Sequence, residues 1–151
     1  MSELTAEQFA ERCGRDAAGI NLRPALDLCK TLVLDGIDDN FLRRQTADGH
    51  AWPRRKDRKP HPLLEKTGTL RAAATGQGQG KIERMLEGNA IEVGVEKVPG
   101  TSLMGALAHQ FGYPPGNIPQ RQYLGISRFT LSECREATEE SAAKELTLSW
   151  Q

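Results

Sequence analysis

Residues 82–95, IERMLEGNAIEVGV, decide the fold. Ile82 to Leu86 and Ala90 to Val95 are short apolar-rich runs, and Glu87-Gly88-Asn89 between them has the composition of a hairpin turn. In the second run Ile91, Val93 and Val95 alternate with Glu92 and Gly94, the two-residue period of a strand with one covered face. Just upstream, Thr67-Gly68 reads as a turn, and Leu70 enters a short segment with strand character through Ala74. GQGQG at 76–80 reads as a flexible connection. Downstream, the Ala-rich stretch Leu103 to Phe111 predicts a helix packed by Leu103, Leu107 and Phe111 and ended by Pro114-Pro115-Gly116. Ile118 to Leu124 should be extended, because Pro119 disfavours helix.

Helical signals flank this centre. Thr5 and Gln8 have capping-box spacing, with Phe9 as an apolar anchor, and Gly14 and Gly19 are expected to interrupt that first helix. A second helix begins near Arg23, where Pro24 suits the first turn. Leu22, Leu26, Cys29, Val33 and Ile37 give it one apolar face. Gly36 should end or bend it, with Asp38 or Asp39 capping another short helix that carries Phe41 and Leu42. Thr130-Leu131-Ser132-Glu133 is a further capping-box signal before an Ala/Glu-rich C-terminal helix. The fold class is therefore α+β, one domain over 1–151: a helical part at 1–45, a loop and small antiparallel sheet at 46–127, and a C-terminal helix at 128–151.

Composition narrows the function. Twenty basic residues balance twenty acidic ones, which excludes a histone-like polycation and an acidic disordered tail. No apolar run approaches the roughly 18 residues of a membrane span, and no signal-peptide pattern opens the chain, so a soluble, intracellular protein is expected. Eight aromatics with 15 Gly and 8 Pro imply a lean core and much loop, a composition that often gains stability from self-assembly. The zero net charge is segregated: residues 1–40 carry −4, residues 41–127 carry +6, and residues 128–151 carry −2. A basic middle and acidic ends suit copies docking head-to-tail, or a basic face meeting a polyanion.

Catalytic patterns are weak. Cys13, Cys29 and Cys134 form no CxxC pair, and the first two lie on apolar helical faces, where cysteine acts as a small hydrophobe. Cys134 lies near a helix N-terminus, a place that can lower a thiol pKa. His50, His61 and His109 form no zinc set. Asp48, His50, Asp57 and His61 sit near a basic run, as a metal-dependent nuclease would require, but their spacing matches no ligand template. Lys81 after GQGQG is followed by Ile82 and a strand rather than by Ser or Thr and a helix, so a phosphate loop is not supported. The feature with functional content is the long loop from Thr46 to Pro62, in which Arg54, Arg55, Lys56, Arg58 and Lys59 put five positive charges into six residues, opposed within that run only by Asp57. Such a cluster is unfavourable without an anionic partner, either nucleic-acid phosphate or an acidic helix of a neighbouring subunit. Trp52 before it reads as a packing anchor.

Five stretches occur in order: FLRRQTADGHAWPRRK at 41–56, LLEKTGTLRAAA at 63–74, IEVGV at 91–95, ALAHQFG at 106–112 and IPQRQYLGIS at 118–127. Together they resemble the phage virion morphogenesis family, the tail-completion proteins of Mu-like and P2-like phages. The chain departs from the family pattern at Leu107-Ala108, after an inserted VPGTSLMG, and at Arg121-Gln122-Tyr123.

The resemblance implies a structural protein of virion assembly, acting at the head–tail junction or the head-proximal tail end as a ring, with no enzymatic activity and no cofactor. The expected partners are copies of itself, head-connector or neck proteins and tail-tube proteins, with packaged DNA in the lumen and no membrane. The location is the virion, and host cytoplasm during assembly. In that reading Trp52 and Pro53 pin the loop to the sheet, and Gly68 allows the turn before Leu70. His109, Gln110 and Phe111 close the second helix against the strand, and Gly112 permits the exit. Pro119 and Tyr123 belong to the same structural motif, and Arg121 is available to a carboxylate. Arg54, Arg55, Lys56, Arg58, Lys59 and Arg121 are the expected interaction residues. A nucleic-acid-binding module using loop 54–59 is the alternative, with the nuclease behind it.

Overall fold

The computed structural model describes residues 5–149 except 58, 88 and 101. Arg58, Gly88 and the side chain of Phe9, all singled out above, lie outside the described residues.

Helix α1 spans Ala6–Ala18 and has the expected reciprocal cap: Gln8 N donates to Thr5 Oγ1 at 3.3 Å, and Thr5 N donates to Gln8 Oε1 at 3.0 Å. Gly14 does not interrupt it; a helix tolerates glycine at a cost of about 1 kcal/mol, and α1 stops only at Gly19. Helix α2 runs unbroken from Arg23 to Arg43, with Pro24 in its first turn. The break expected at Gly36 and the separate short helix after it do not occur. Gly36 sits instead where α2 crosses the C-terminal helix α5 (Arg128–Ser149), and a Cβ there would lie 3.6 Å from Thr130 Oγ1. Close helix contact offsets the glycine. Cys29 lies beside Cys134, so the two helices run antiparallel. Helix α5 starts ahead of the expected cap: Thr130 N donates to Ser127 Oγ at 3.0 Å, and Thr130 itself is buried against α2. On α2 the buried positions are Ala25, Cys29, Val33, Ile37, Asn40 and Phe41.

Residues 69–74 form helix α3 (Thr69–Ala74), not a strand. Gly68, at φ +73°, turns the chain into it, and three consecutive alanines favour helix over sheet. The 76–80 connection is packed rather than loose. A Cβ on Gly78 would lie 2.9 Å from the Ala72 and Ala73 backbone, and one on Gly80 (φ +78°) would run into the Lys97 carbonyl.

Strands β1 (Lys81–Leu86) and β2 (Ala90–Val95) pair antiparallel as a two-stranded sheet, with Glu83 opposite Val93 and Lys81 opposite Val95. Val93 and Val95 rest on the core, as their alternation required. Lys30 Nζ to Glu83 Oε1, at 2.9 Å, fastens β1 to α2. The core joins Val33, Ile37 and Phe41 of α2 to Trp52, Leu70, Ala74, Val98, Ala106 and Tyr123. Phe41 is its hinge piece: its ring lies 5.6 Å from Trp52, edge to face, and 5.6 Å from Tyr123.

Helix α4 occupies Leu103–Phe111 as expected, but with its faces exchanged. Ala106 and Gln110 are buried, whereas Leu103 and Leu107 are each 41% exposed and Phe111 is 68% exposed. The apolar stripe that periodicity assigned to the core faces solvent.

Candidate functional site

Residues 119–124 pair with no strand among the described residues. Asparagine, glutamine and tryptophan side chains supply the missing bonds. Arg121 N donates to His109 O. Trp52 Nε1 donates to Gln122 O at 3.0 Å, and Asn40 Nδ2 donates to Tyr123 O at 3.2 Å. Gln110 does the most: its Oε1 accepts from Tyr123 N at 3.1 Å and Leu124 N at 3.0 Å, while Nε2 donates to Leu124 O at 2.9 Å. One primary amide thus replaces a neighbouring strand. Buried polar groups must be paired, so residues 121–124 are held rigidly although they form no sheet. The Tyr123 hydroxyl donates to Ala106 O at 3.3 Å, and burial pushes its pKa up to about 12.

Trp52 is therefore a pin, but onto α2 and the 121–124 segment rather than onto the sheet; Pro53 is exposed. Gly112, at φ +80°, turns the chain out of α4, and its bare Cα allows Gln120 N to approach. Phe111 does not close α4 against the strand as expected: it is 68% exposed.

Arg121 is 6% exposed and spans the clamp and the basic loop. Its Nε donates to Pro53 O at 3.0 Å, Nη2 reaches Arg54 O at 3.5 Å, and Nη1 lies 3.2 Å from His109 Nδ1. The expectation of an Arg121 free for a carboxylate is corrected: the guanidinium is spent on loop carbonyls, which its fork geometry suits. A guanidinium can only donate, so His109 accepts at Nδ1 and is neutral. Burial, then the charges of Arg121 and Arg55, hold its pKa below the usual imidazole value.

The loop cations divide into two kinds. Arg55 turns inward, donating to His61 O at 2.7 Å and lying 2.6 Å from Asp57 Oδ1 in an ion pair. Arg54, Lys56 and Lys59 are exposed; Lys59 sits 3.4 Å from Asp57, and Lys56 donates to Asn117 Oδ1 at 3.3 Å. Burial opposes ionisation of Asp57, but Lys59 and Arg55 outweigh it and hold its pKa below the carboxylate norm. Between this loop and α4 lies a groove of about 520 Å³, with Leu64, Leu70, Val98 and Ala106 in its lining and Arg55, Lys56 and Lys59 among its charged residues.

The nuclease constellation is not assembled. His50 is exposed on the Thr46–His50 turn, while His61 is engaged by Arg55. Among the described residues no three His, Cys, Asp or Glu side chains gather at metal-ligand distance. Cys134 carries no activated thiol: burial and the adjacent Cys29 push its pKa up to about 11. No helix among the described residues is long and apolar enough to cross a membrane.

Two residues escaped sequence reasoning. Asn40 looks like a surface polar residue of α2, and its carbonyl partner is 83 residues away. Arg71 bridges Asp38 Oδ1 at 2.7 Å and Glu65 Oε2 at 3.1 Å, tying α3 to α2 and to the preceding loop. Only the LLEKTGTLR stretch hinted at it.

A family model described as the phage virion morphogenesis family matches residues 9–143. No curated protein and no solved structure matches the chain.

Proposed function

The chain belongs to the phage virion morphogenesis family, and from that premise we propose that it is a tail-completion component, working as a homo-oligomeric ring at the head–tail junction or head-proximal tail end. A morphogenesis family accords with a structural role rather than a catalytic one. The observation that carries the finer reading is the exposed cationic ledge of Arg54, Lys56 and Lys59, with Asp57 the one carboxylate between residues 54 and 59. The chain holds its complement at its own ends, with −4 over residues 1–40 and −2 over residues 128–151. A contact between unlike patches propagates around a ring rather than closing a two-fold dimer.

The test is Arg54→Glu with Lys56→Glu, both exposed, leaving Arg55 to hold His61. The variant should keep the wild-type circular dichroism and urea midpoint yet fail to support joining of heads to tails in a complementation assay. Normal yields of infectious particles would refute the reading. The same ledge also suits packaged DNA in a ring lumen. That second reading predicts duplex binding by the wild-type chain whose affinity falls steeply with salt.

A further inference from the structure

We infer that the outward face of α4 is the apolar centre of a contact between two copies of this chain, and that its occupant is the outward face of α5 of the second copy. This rests on the ring reading above and specifies both halves of the contact.

The first half is the inverted helix. Leu103, Met104, Leu107 and Phe111 fall within a face about 100° wide at the helical 3.6-residue period. Met104 and Phe111 are each 68% exposed. Four large apolar groups together on one exposed face mark an interaction surface, whereas single ones would not. The core does not need them: Ala106 and Gln110 already make the core side of α4. Phe111 opens onto a second groove, of about 460 Å³, whose walls include Arg54, Lys56, Ile118 and Pro119. An occupant must therefore offer an apolar side chain with carboxylates beside it.

Helix α5 has that pattern. Phe129, Glu133, Glu136 and Glu140 recur at steps of four, three and four and so share one face. Phe129 is 73% exposed, and Glu136 and Glu140 are exposed. Arg135 pairs with Glu139 on another face, and no cation among the described residues pairs with Glu133, Glu136 or Glu140. Thr130 and Cys134, about 100° round the helix from that face, pack on α2. Helix α1 is a poorer match, because its Glu7, Glu11 and Asp16 are interleaved with Arg12 and Arg15. Phe129 would enter the groove at Phe111, while Glu136 and Glu140 would meet Arg54 and Lys56. The two patches differ, so each copy uses one patch toward each neighbour, as a ring requires.

A charge-swap series on the full chain, read by analytical ultracentrifugation and negative-stain microscopy, tests this. Arg54→Glu/Lys56→Glu and Glu136→Lys/Glu140→Lys should each weaken self-association by about tenfold or more. An equimolar mixture of the two variants should regain it, and so should one chain carrying all four substitutions. Phe111→Glu, at an exposed site, should abolish association without lowering the urea midpoint. Association that survives Phe111→Glu, or swaps that fail to rescue one another, overturns this inference and leaves the ring reading standing. A wild-type chain that stays monomeric at millimolar concentration overturns both.

Discussion

Replacing Gln110 by leucine keeps the approximate volume of the side chain and removes all its polar atoms. Tyr123 N, Leu124 N and Leu124 O then lose their partners at 3.1, 3.0 and 2.9 Å. A buried backbone group left unpaired costs about 1–3 kcal/mol. Leu124 is only half-buried, so water can reach part of the deficit, and the sum is about 3–6 kcal/mol. Against the ~5–15 kcal/mol total of an ordinary domain, that loss is a large share of stability. Urea unfolding followed by tryptophan emission measures it, because Trp52 is buried and bonded to Gln122 O in the same segment. Gln110→Glu sharpens the test. An ionised carboxylate still accepts from both amides but turns an oxygen toward Leu124 O; protonated, it regains a donor. Its folded pKa is thereby raised, so the deficit of this variant should shrink as pH falls toward ~4.3, the value in the unfolded chain. A leucine variant within about 1 kcal/mol of wild type, the net worth of one ordinary hydrogen bond, would refute the reasoning and leave packing alone as the support of residues 121–124.

Gly80→Ala should destabilise strongly, because the added Cβ meets the Lys97 carbonyl and the residue sits at φ +78°; a wild-type melting temperature would contradict that. His109→Gln should flatten the acid side of the stability profile. The folded pKa of His109 is depressed by burial and by Arg121, so below about 6.5 the unfolded chain binds the extra proton and stability falls with pH. Equal slopes of unfolding free energy between pH 7 and 5 in wild type and variant would exclude this role.

Features written in local chemistry were legible in the sequence. The Thr5–Gln8 cap, Pro24 in a first turn, the 82–95 hairpin and Gly68 each need only neighbours along the chain. The errors share a different cause. Gly36 looks like a helix breaker until α5 lies across it, and Gly76 to Gly80 look loose until Ala72 and Lys97 are brought against them. Asn40 and Gln110 are polar residues whose partners are backbone atoms, and backbone atoms leave no mark in a sequence. On α4 the period was right but the direction wrong: periodicity reports a stripe, not what covers it.

That last error bears on function. The family-like stretches converge on one construction: Phe41 and Trp52 from the first, Leu70 and Ala74 from the second, Val93 and Val95 from the third, Ala106, His109, Gln110 and Gly112 from the fourth, Arg121 to Leu124 from the last. Of these, Phe41, Trp52, Ala106, His109 and Gln110 touch residues 121–124 directly and hold them in place without a sheet. Phe111 stands inside the ALAHQFG stretch between two clamp residues and yet touches solvent over most of its surface. A residue of that size contributes to stability only when its area is removed from water, and the fold does not remove it. Had α4 turned its stripe inward, Gln110 would point out, and Tyr123 N, Leu124 N and Leu124 O would lose the partner they have. The polar clamp and the exposed stripe are thus one arrangement. Holding the segment with Gln110 commits Leu103, Met104, Leu107 and Phe111 to the outside, where only another molecule can cover them.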